Sequence, residues 1–196
     1  PLFDVCSRAG VLRIVMPSTP YDAKGLFLAA IADNDPVLYI DDRWLYETEG
    51  EVPEEPYTVP IGKASVLKKG SDVTIVGISY LAKESLEAAK VLETDGVSAE
   101  VIDLRSIKPM DKKTILSSVR RTGRLVVADP AWPVCGVASE ISDMVARELF
   151  GVLKASIEKV TFPDVPVPAS ASLEKVFYPG KDDIVDAAKR SLKVGG

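Results

Sequence analysis

The sequence predicts a three-layer α/β/α domain with a mostly parallel sheet, preceded by a smaller strand–helix–strand unit. Three observations carry this. Val73–Ile78 is a nearly pure apolar run, as strands are when a sheet is covered on both faces, and Ala99–Leu104 and Arg124–Ala128 read as the next strands of that sheet. Segments with apolar residues at helical spacing lie between them. The connections are short and punctuated by glycine, which alternating strands and helices require.

Leu12 to Val15 reads as a strand ended by Pro17-Ser18-Thr19-Pro20. Thr19 followed by Pro20 fits an N-cap with proline in the first helical turn, and Ala23, Leu26, Phe27, Ala30 and Ile31 continue a helix to Asp33. Val37 to Ile40 is a second strand, expected to be parallel to the first. From Glu47 to Pro60 the chain is acidic, proline-punctuated and without apolar period, and it reads as an extended linker. The expected division is a unit at 1–46, the linker at 47–60 and the larger domain at 61–196.

In the larger domain, Leu81, Leu86, Ala89 and Leu92 mark a helix stopped by Asp95-Gly96. Met110-Asp111 opens another through Ile115 and Val119 to Gly123. Gly136 to Phe150 is helical, with Val137, Ile141, Val145 and Leu149 four apart. Val160 to Phe162 reads as a short strand, Pro163 to Pro168 as a loop, and Ile184 to Leu192 as a terminal helix.

Composition narrows the chemistry. The chain of 196 residues is 46% hydrophobic and 27% charged, which excludes disorder, and its net charge of -5 argues against nucleic acid as a partner. No apolar stretch is long enough for a membrane span. The two cysteines, Cys6 and Cys135, make no disulfide framework and point to a reducing, cytoplasmic setting. There is no histidine at all, which excludes a Ser-His-Asp triad, a His-ligated zinc and any imidazole proton shuttle. The chain opens on Pro1 with its first Met at Met16, which reads as a processed or excised form, and nothing at its start resembles a signal peptide.

No constellation of residues spells a reaction. No G-x-G-x-x-G follows a strand, and Gly62-Lys63-Ala64-Ser65 lacks the upstream glycine and the magnesium-binding hydroxyl of a phosphate loop. Cys135 at a helix start is either an activated thiol or a small buried residue in a tight turn; the absence of histidine favours the turn. Asp33 and Asp35 either hold a hard cation together with helix-end carbonyls or form a turn. Asp41-Asp42, Glu54-Glu55 and the basic set Lys112, Lys113, Arg120, Arg121 and Arg124 read as solvated charge, and Trp44 and Trp132 as interface residues.

Several collinear stretches carry a resemblance. Leu12-Arg13-Ile14-Val15-Met16-Pro17-Ser18-Thr19-Pro20-Tyr21-Asp22-Ala23-Lys24-Gly25-Leu26 is similar to a signature of the beta subunits of 2-oxo acid dehydrogenase complexes. So are Gly50–Tyr57 with Pro60–Ala64, Asp72–Val76, Val101–Asp111 and Pro163–Val167-Pro168. The chain therefore resembles the thiamin-diphosphate-dependent decarboxylating component of pyruvate or branched-chain type.

The resemblance implies the end of a pyrimidine-binding domain followed by a transketolase C-terminal domain. It implies a parent enzyme that uses thiamin diphosphate and magnesium, an alpha subunit as partner, docking on a dihydrolipoyl acyltransferase core, and a homodimer with no membrane or nucleic-acid partner. The family's activating Glu, cofactor-stacking aromatic and active-site His fall in the unmatched part, so no catalytic or cofactor-binding residue carries over. The chain alone is expected neither to hold the cofactor tightly nor to decarboxylate. Its potassium site maps onto Ala30 and Ile31 through carbonyls, and onto Asp33 and Asp35, the last replacing a usual Asn. Where the family has His-Glu after the third buried strand, Asp129-Pro130 stands here. The dimer contact is expected around the turn from Trp132 to Val137. The alternatives are a stand-alone, non-catalytic interaction domain and part of another thiamin-diphosphate enzyme of transketolase type.

Overall fold

The structure, a computed structural model, describes residues 12–193. Cys6 lies outside the described residues. β1 (Arg13–Val15), α1 (Pro20–Ala32) and β2 (Val37–Tyr39) form the expected strand–helix–strand unit, with β1 and β2 parallel. Thr19 caps α1 by accepting from the Asp22 N–H, with Pro20 in the first turn as expected. A short 3-10 turn, Arg43–Leu45, follows. Residues 47–60 contain neither helix nor strand.

The larger unit runs through β3 (Ser65–Lys68), β4 (Val73–Gly77), α2 (Tyr80–Thr94), β5 (Ala99–Asp103), β6 (Ser106–Lys108), α3 (Lys112–Thr122), β7 (Leu125–Ala128), α4 (Val137–Leu149), β8 (Glu158–Val160), α5 (Ala171–Phe177) and α6 (Lys181–Lys193). Its five-stranded sheet has the order β3-β5-β4-β7-β8, parallel except for the edge strand β3. Alternation along the strands sorts the core into two layers. Val73, Ile75, Val101 and Val126 pack under α2 and α6 with Leu81, Ala89, Leu92, Ile184 and Ala188. Val76, Ile102, Leu125 and Val127 pack under α3 and α4 with Ile115, Val119, Ile141 and Val145. This is the three-layer arrangement, and no helix among the described residues is long and apolar enough to cross a membrane.

Helix ends follow the local chemistry. Asp111 caps α3 by accepting from the Thr114 N–H, and Gly123 closes it in the left-handed region at φ 74°. Thr74 lies on the α3 side of β4, where its hydroxyl meets Ser118 at 2.7 Å and Thr122 at 2.8 Å, so the buried polar group is satisfied.

Four elements depart from the sequence reading. β3, β6 and α5 are additional, and β8 ends at Val160 rather than beginning there. The first two are short and polar, and β8 is an edge strand carrying Glu158 and Lys159. The consequential one is β6. It pairs antiparallel with β1, with Ile14 opposite Lys108 and Val15 opposite Ser106, so one three-stranded sheet, β2-β1-β6, draws strands from both units. Ile14 and Met16 accordingly belong to the α3–α4 side of the core.

The 47–60 segment lies against α1. Lys24 donates to the carbonyls of Pro53, Glu54 and Glu55, Tyr57 stacks on Tyr21 at 4.5 Å, and the Val59 N–H bonds the Gly25 carbonyl at 3.0 Å. A Cβ on Gly25 would lie 2.5 Å from Val59 Cγ2, so only glycine permits this approach.

Candidate functional site

The densest buried charge lies where the two units meet. The loop after β1 contributes Ser18, the first turn of α1 contributes Asp22, and the β5–β6 connection contributes Asp103 and Arg105. Asp22, Asp103 and Ser18 are almost wholly removed from solvent. Ser18 donates its hydroxyl to Asp103 Oδ2. The Arg105 N–H donates to Asp103 Oδ1 at 3.1 Å. Arg105 occupies the left-handed region at φ 57°, where its carbonyl accepts from the Met16 N–H at 2.8 Å. Its guanidinium lies 2.8 Å from Asp22 Oδ1, although Asp22 Oδ1 and Arg105 Nε make no aligned hydrogen bond. Asp22 is held in place by the Thr19 hydroxyl, which donates to Oδ2 at 2.9 Å.

The electrostatics follow from burial. Loss of water pushes the Asp103 carboxyl up to about 7; the Ser18 hydroxyl opposes the shift, nearby Asp22 adds to it, and Arg105 opposes it. The arrangement is a polar lock. It has a charge pair and a carboxyl that holds a proton near neutrality, and its Ser18 lines a cavity of about 190 Å³.

The second feature lies at the C-terminal ends of β4 and β7. The chain leaves these adjacent strands in opposite directions, which makes a topological switch point, where open α/β sheets place ligands. Here the exit from β2 lies in that crevice. The Ser79 hydroxyl, on a residue at φ 54°, donates to Asp42 Oδ2 at 2.9 Å. Trp44 packs edge-on to Tyr178 at 5.1 Å. A cavity of about 390 Å³ remains, lined in part by Asp41, Asp42, Trp44, Tyr80, Phe162 and Tyr178.

The residues implied for potassium gather at the end of α1. Ile31 is exposed, Ala30 half-buried, and Asp33 is the C-cap residue. Arg13 on β1 engages both carboxylates, with Nε 3.2 Å from Asp33 Oδ2 and a terminal nitrogen 3.0 Å from Asp35 Oδ2. The Asp35 N–H also bonds Asp33 Oδ1 at 2.9 Å. The sequence reading named these acids and missed the arginine, which lies on a different element.

The turn before α4 is explained by Asp129. Buried after β7, it accepts from the Ala138 N–H at 2.8 Å and so caps α4 from a distance, because Gly136 offers no side chain. Burial pushes its carboxyl up to about 6, against the N–H groups of Ala138 and Val137. A Cβ on Gly136 would lie 2.6 Å from the Trp132 carbonyl oxygen. Cys135 takes φ 57° and is exposed: the turn is as expected, but burial of this residue is not. Trp132 is half-buried, donating its indole N–H to the Val165 carbonyl at 3.2 Å and packing edge-on to Phe162.

Among the described residues, no three Asp, Glu or Cys side chains gather to hold a metal ion. Gly77, at the end of β4, is spent on packing, since a Cβ there would lie 2.5 Å from Ala82 Cα.

Comparison with known proteins gives the same outline. Residues 62–184 match the family described as transketolase, C-terminal domain. The beta subunit of acetoin:2,6-dichlorophenolindophenol oxidoreductase from Cupriavidus necator is 48% identical over 184 residues, covering 94% of this chain and 54% of its own length. The pyruvate dehydrogenase E1 component subunit beta of Rickettsia felis is 43% identical over 179 residues, covering 91% and 55%. The chain thus spans about half the length of the curated relatives it matches. Among solved structures, a split-gene transketolase described as an inactive beta4 tetramer superposes with a TM-score of 0.79 at 28% identity, over 95% of this chain and 59% of that one. A transketolase from Pichia stipitis shares the fold alone, at 13% identity and a TM-score of 0.63, over 97% of this chain and 26% of that one.

Proposed function

The chain belongs to the transketolase C-terminal domain family, and from that premise we propose that it serves as the assembly portion of the beta subunit of a thiamin-diphosphate-dependent 2-oxo acid dehydrogenase component. The observation that carries the reading is the lock between the units. Ser18 and Asp22 are bound to Asp103 and Arg105 while β1 completes a sheet with β6, which makes a rigid body suited to holding other chains in register. The parent reaction in this reading is oxidative decarboxylation of a 2-oxo acid, with thiamin diphosphate and magnesium bound outside the described residues. The partners are an alpha subunit, a dihydrolipoyl acyltransferase core and a second copy of the chain. Two further points belong to the proposal: a potassium ion on the Ala30 and Ile31 carbonyls beside Asp33 and Asp35, and residence in the cytoplasm, although a pea relative is named as mitochondrial.

A second reading takes acetoin as the parent's substrate. It is favoured by the 48% and 46% identity to the beta subunits of acetoin oxidoreductases.

The test has two arms. Calorimetry with thiamin diphosphate and magnesium, followed by assays on pyruvate, branched-chain 2-oxo acids and acetoin, is expected to show neither tight binding nor turnover by this chain alone. Mixing with an alpha subunit of such a dehydrogenase component is expected to give a stable complex by light scattering. Turnover by the chain alone, or failure to associate, overturns the assembly role.

A further inference from the structure

The crevice at the switch point combines three properties the assembly role does not use. It is concave, with about 390 Å³ of free space. Its walls are aromatic: Trp44 lies 5.1 Å from Tyr178 and 6.4 Å from Tyr80, and Phe162 lies 5.3 Å from Tyr178, with the planes inclined at 60°, 38° and 83°. Rings set at such angles turn faces and edges in several directions, as enclosure of a rounded ligand requires.

The third property is charge. Asp41 and Asp42 line the cavity, and neither makes an ion pair among the described residues. Among the described residues their hydrogen-bond partners are neutral: Asp42 accepts from Ser79 Oγ at 2.9 Å and the Trp44 N–H at 3.0 Å, and Asp41 accepts from the Tyr46 hydroxyl. Tyr80 registers the same field. Burial first, then the carboxylates of Asp42, Glu84 and Asp183, hold its hydroxyl protonated far above the ordinary tyrosine range. Arg43 is the cation in the lining, and it is exposed.

We propose that this crevice binds an organic cation of the quaternary-ammonium class, enclosed by Trp44, Tyr80 and Tyr178 and neutralised by Asp41 and Asp42. A methylated ammonium sheds water easily and presents a diffuse positive surface, so ring faces and an unpaired carboxylate together recognise it. An anion would meet uncompensated carboxylates. A neutral apolar molecule would leave them without a partner.

The test is calorimetric titration of the whole chain with choline chloride, against sodium chloride at equal ionic strength and against choline's neutral isostere, in which carbon replaces nitrogen. Saturable binding of choline, at least several-fold tighter than of the isostere, is expected. Trp44→Ala should weaken it by roughly tenfold, the size of one desolvated cation–π contact. Asp42→Asn can keep its oxygen on the Trp44 N–H and donate its amide to Ser79 Oγ, and should weaken binding several-fold through loss of the charge. Circular dichroism of both variants checks the fold; Trp44 is 60% exposed, so its truncation leaves the core intact. No saturation at millimolar choline, equal binding of the isostere, or unchanged binding by Trp44→Ala each overturns the proposal.

Discussion

The guanidinium of Arg105 lies 2.8 Å from Asp22 Oδ1, and the two residues come from opposite sides of the junction between the units. Asp22 is 1% exposed and Arg105 17%, so the pair is a buried one, and removing one partner strands a charge. Arg105→Met is expected to lower the unfolding free energy by about 3 kcal/mol or more. Arg105→Met with Asp22→Asn should recover part of that loss. Urea unfolding measures both. A loss below about 1 kcal/mol in the single variant would mean that the pair behaves like an exposed one.

Asp103 sets the direction of the pH response. Its folded carboxyl titrates at about 7, above the ordinary carboxylate value of 3.8, so the folded state binds a proton that the unfolded state has released. That contribution is fully present below about pH 4 and lost as pH rises through about 7. Asp129, raised to about 6, acts in the same sense. The urea midpoint should therefore be higher near about pH 5.5 than near about pH 8, and Asp103→Asn should flatten the difference. A midpoint that rises with pH in the parent chain contradicts this.

Gly25 is a packing glycine in the middle of α1. Alanine there gains helix propensity but drives its Cβ to 2.5 Å from Val59 and 2.8 Å from the Tyr57 ring. The clash should win, costing about 1–3 kcal/mol and freeing 47–60 for proteolysis. Thermal melts and limited digestion read the two effects. A Gly25→Ala variant more stable than the parent would show that 47–60 yields without strain.

At the end of α1, potassium should raise the melting temperature more than sodium does at equal ionic strength. Asp33→Ala should abolish the difference. Equal responses to the two salts, or a selectivity that survives the substitution, would remove the cation from the account. Arg13 engages both carboxylates, so potassium has to compete with its guanidinium for Asp33.

The strands around Ile75, Ile102 and Val126 are legible in the sequence because burial on both faces makes most of their residues apolar. The helices are legible because their apolar stripes end in glycine at Gly96, Gly123 and Gly151. Ser106-Ile107-Lys108 shows no such signal: its partner is β1, more than ninety positions away, and the pairing supplies what its composition lacks. Ser18, Asp22, Asp103 and Arg105 all fall within stretches that carry the family resemblance, but nothing in their spacing says that the four side chains meet. Asp129 stands out only as a substitution. Its role as a cap depends on where α4 begins in space, which no local pattern encodes.

The shared sheet also governs how the chain can be divided. A cut anywhere in 47–60 looks harmless on the sequence, yet it would separate β1 from β6 and expose a raw edge on each piece. Chimeras between relatives would keep their shape only if these two strands travel together as a matched set. Under load the units would have to slide apart, breaking several backbone bonds at once, rather than open like a hinge. The junction is a weld.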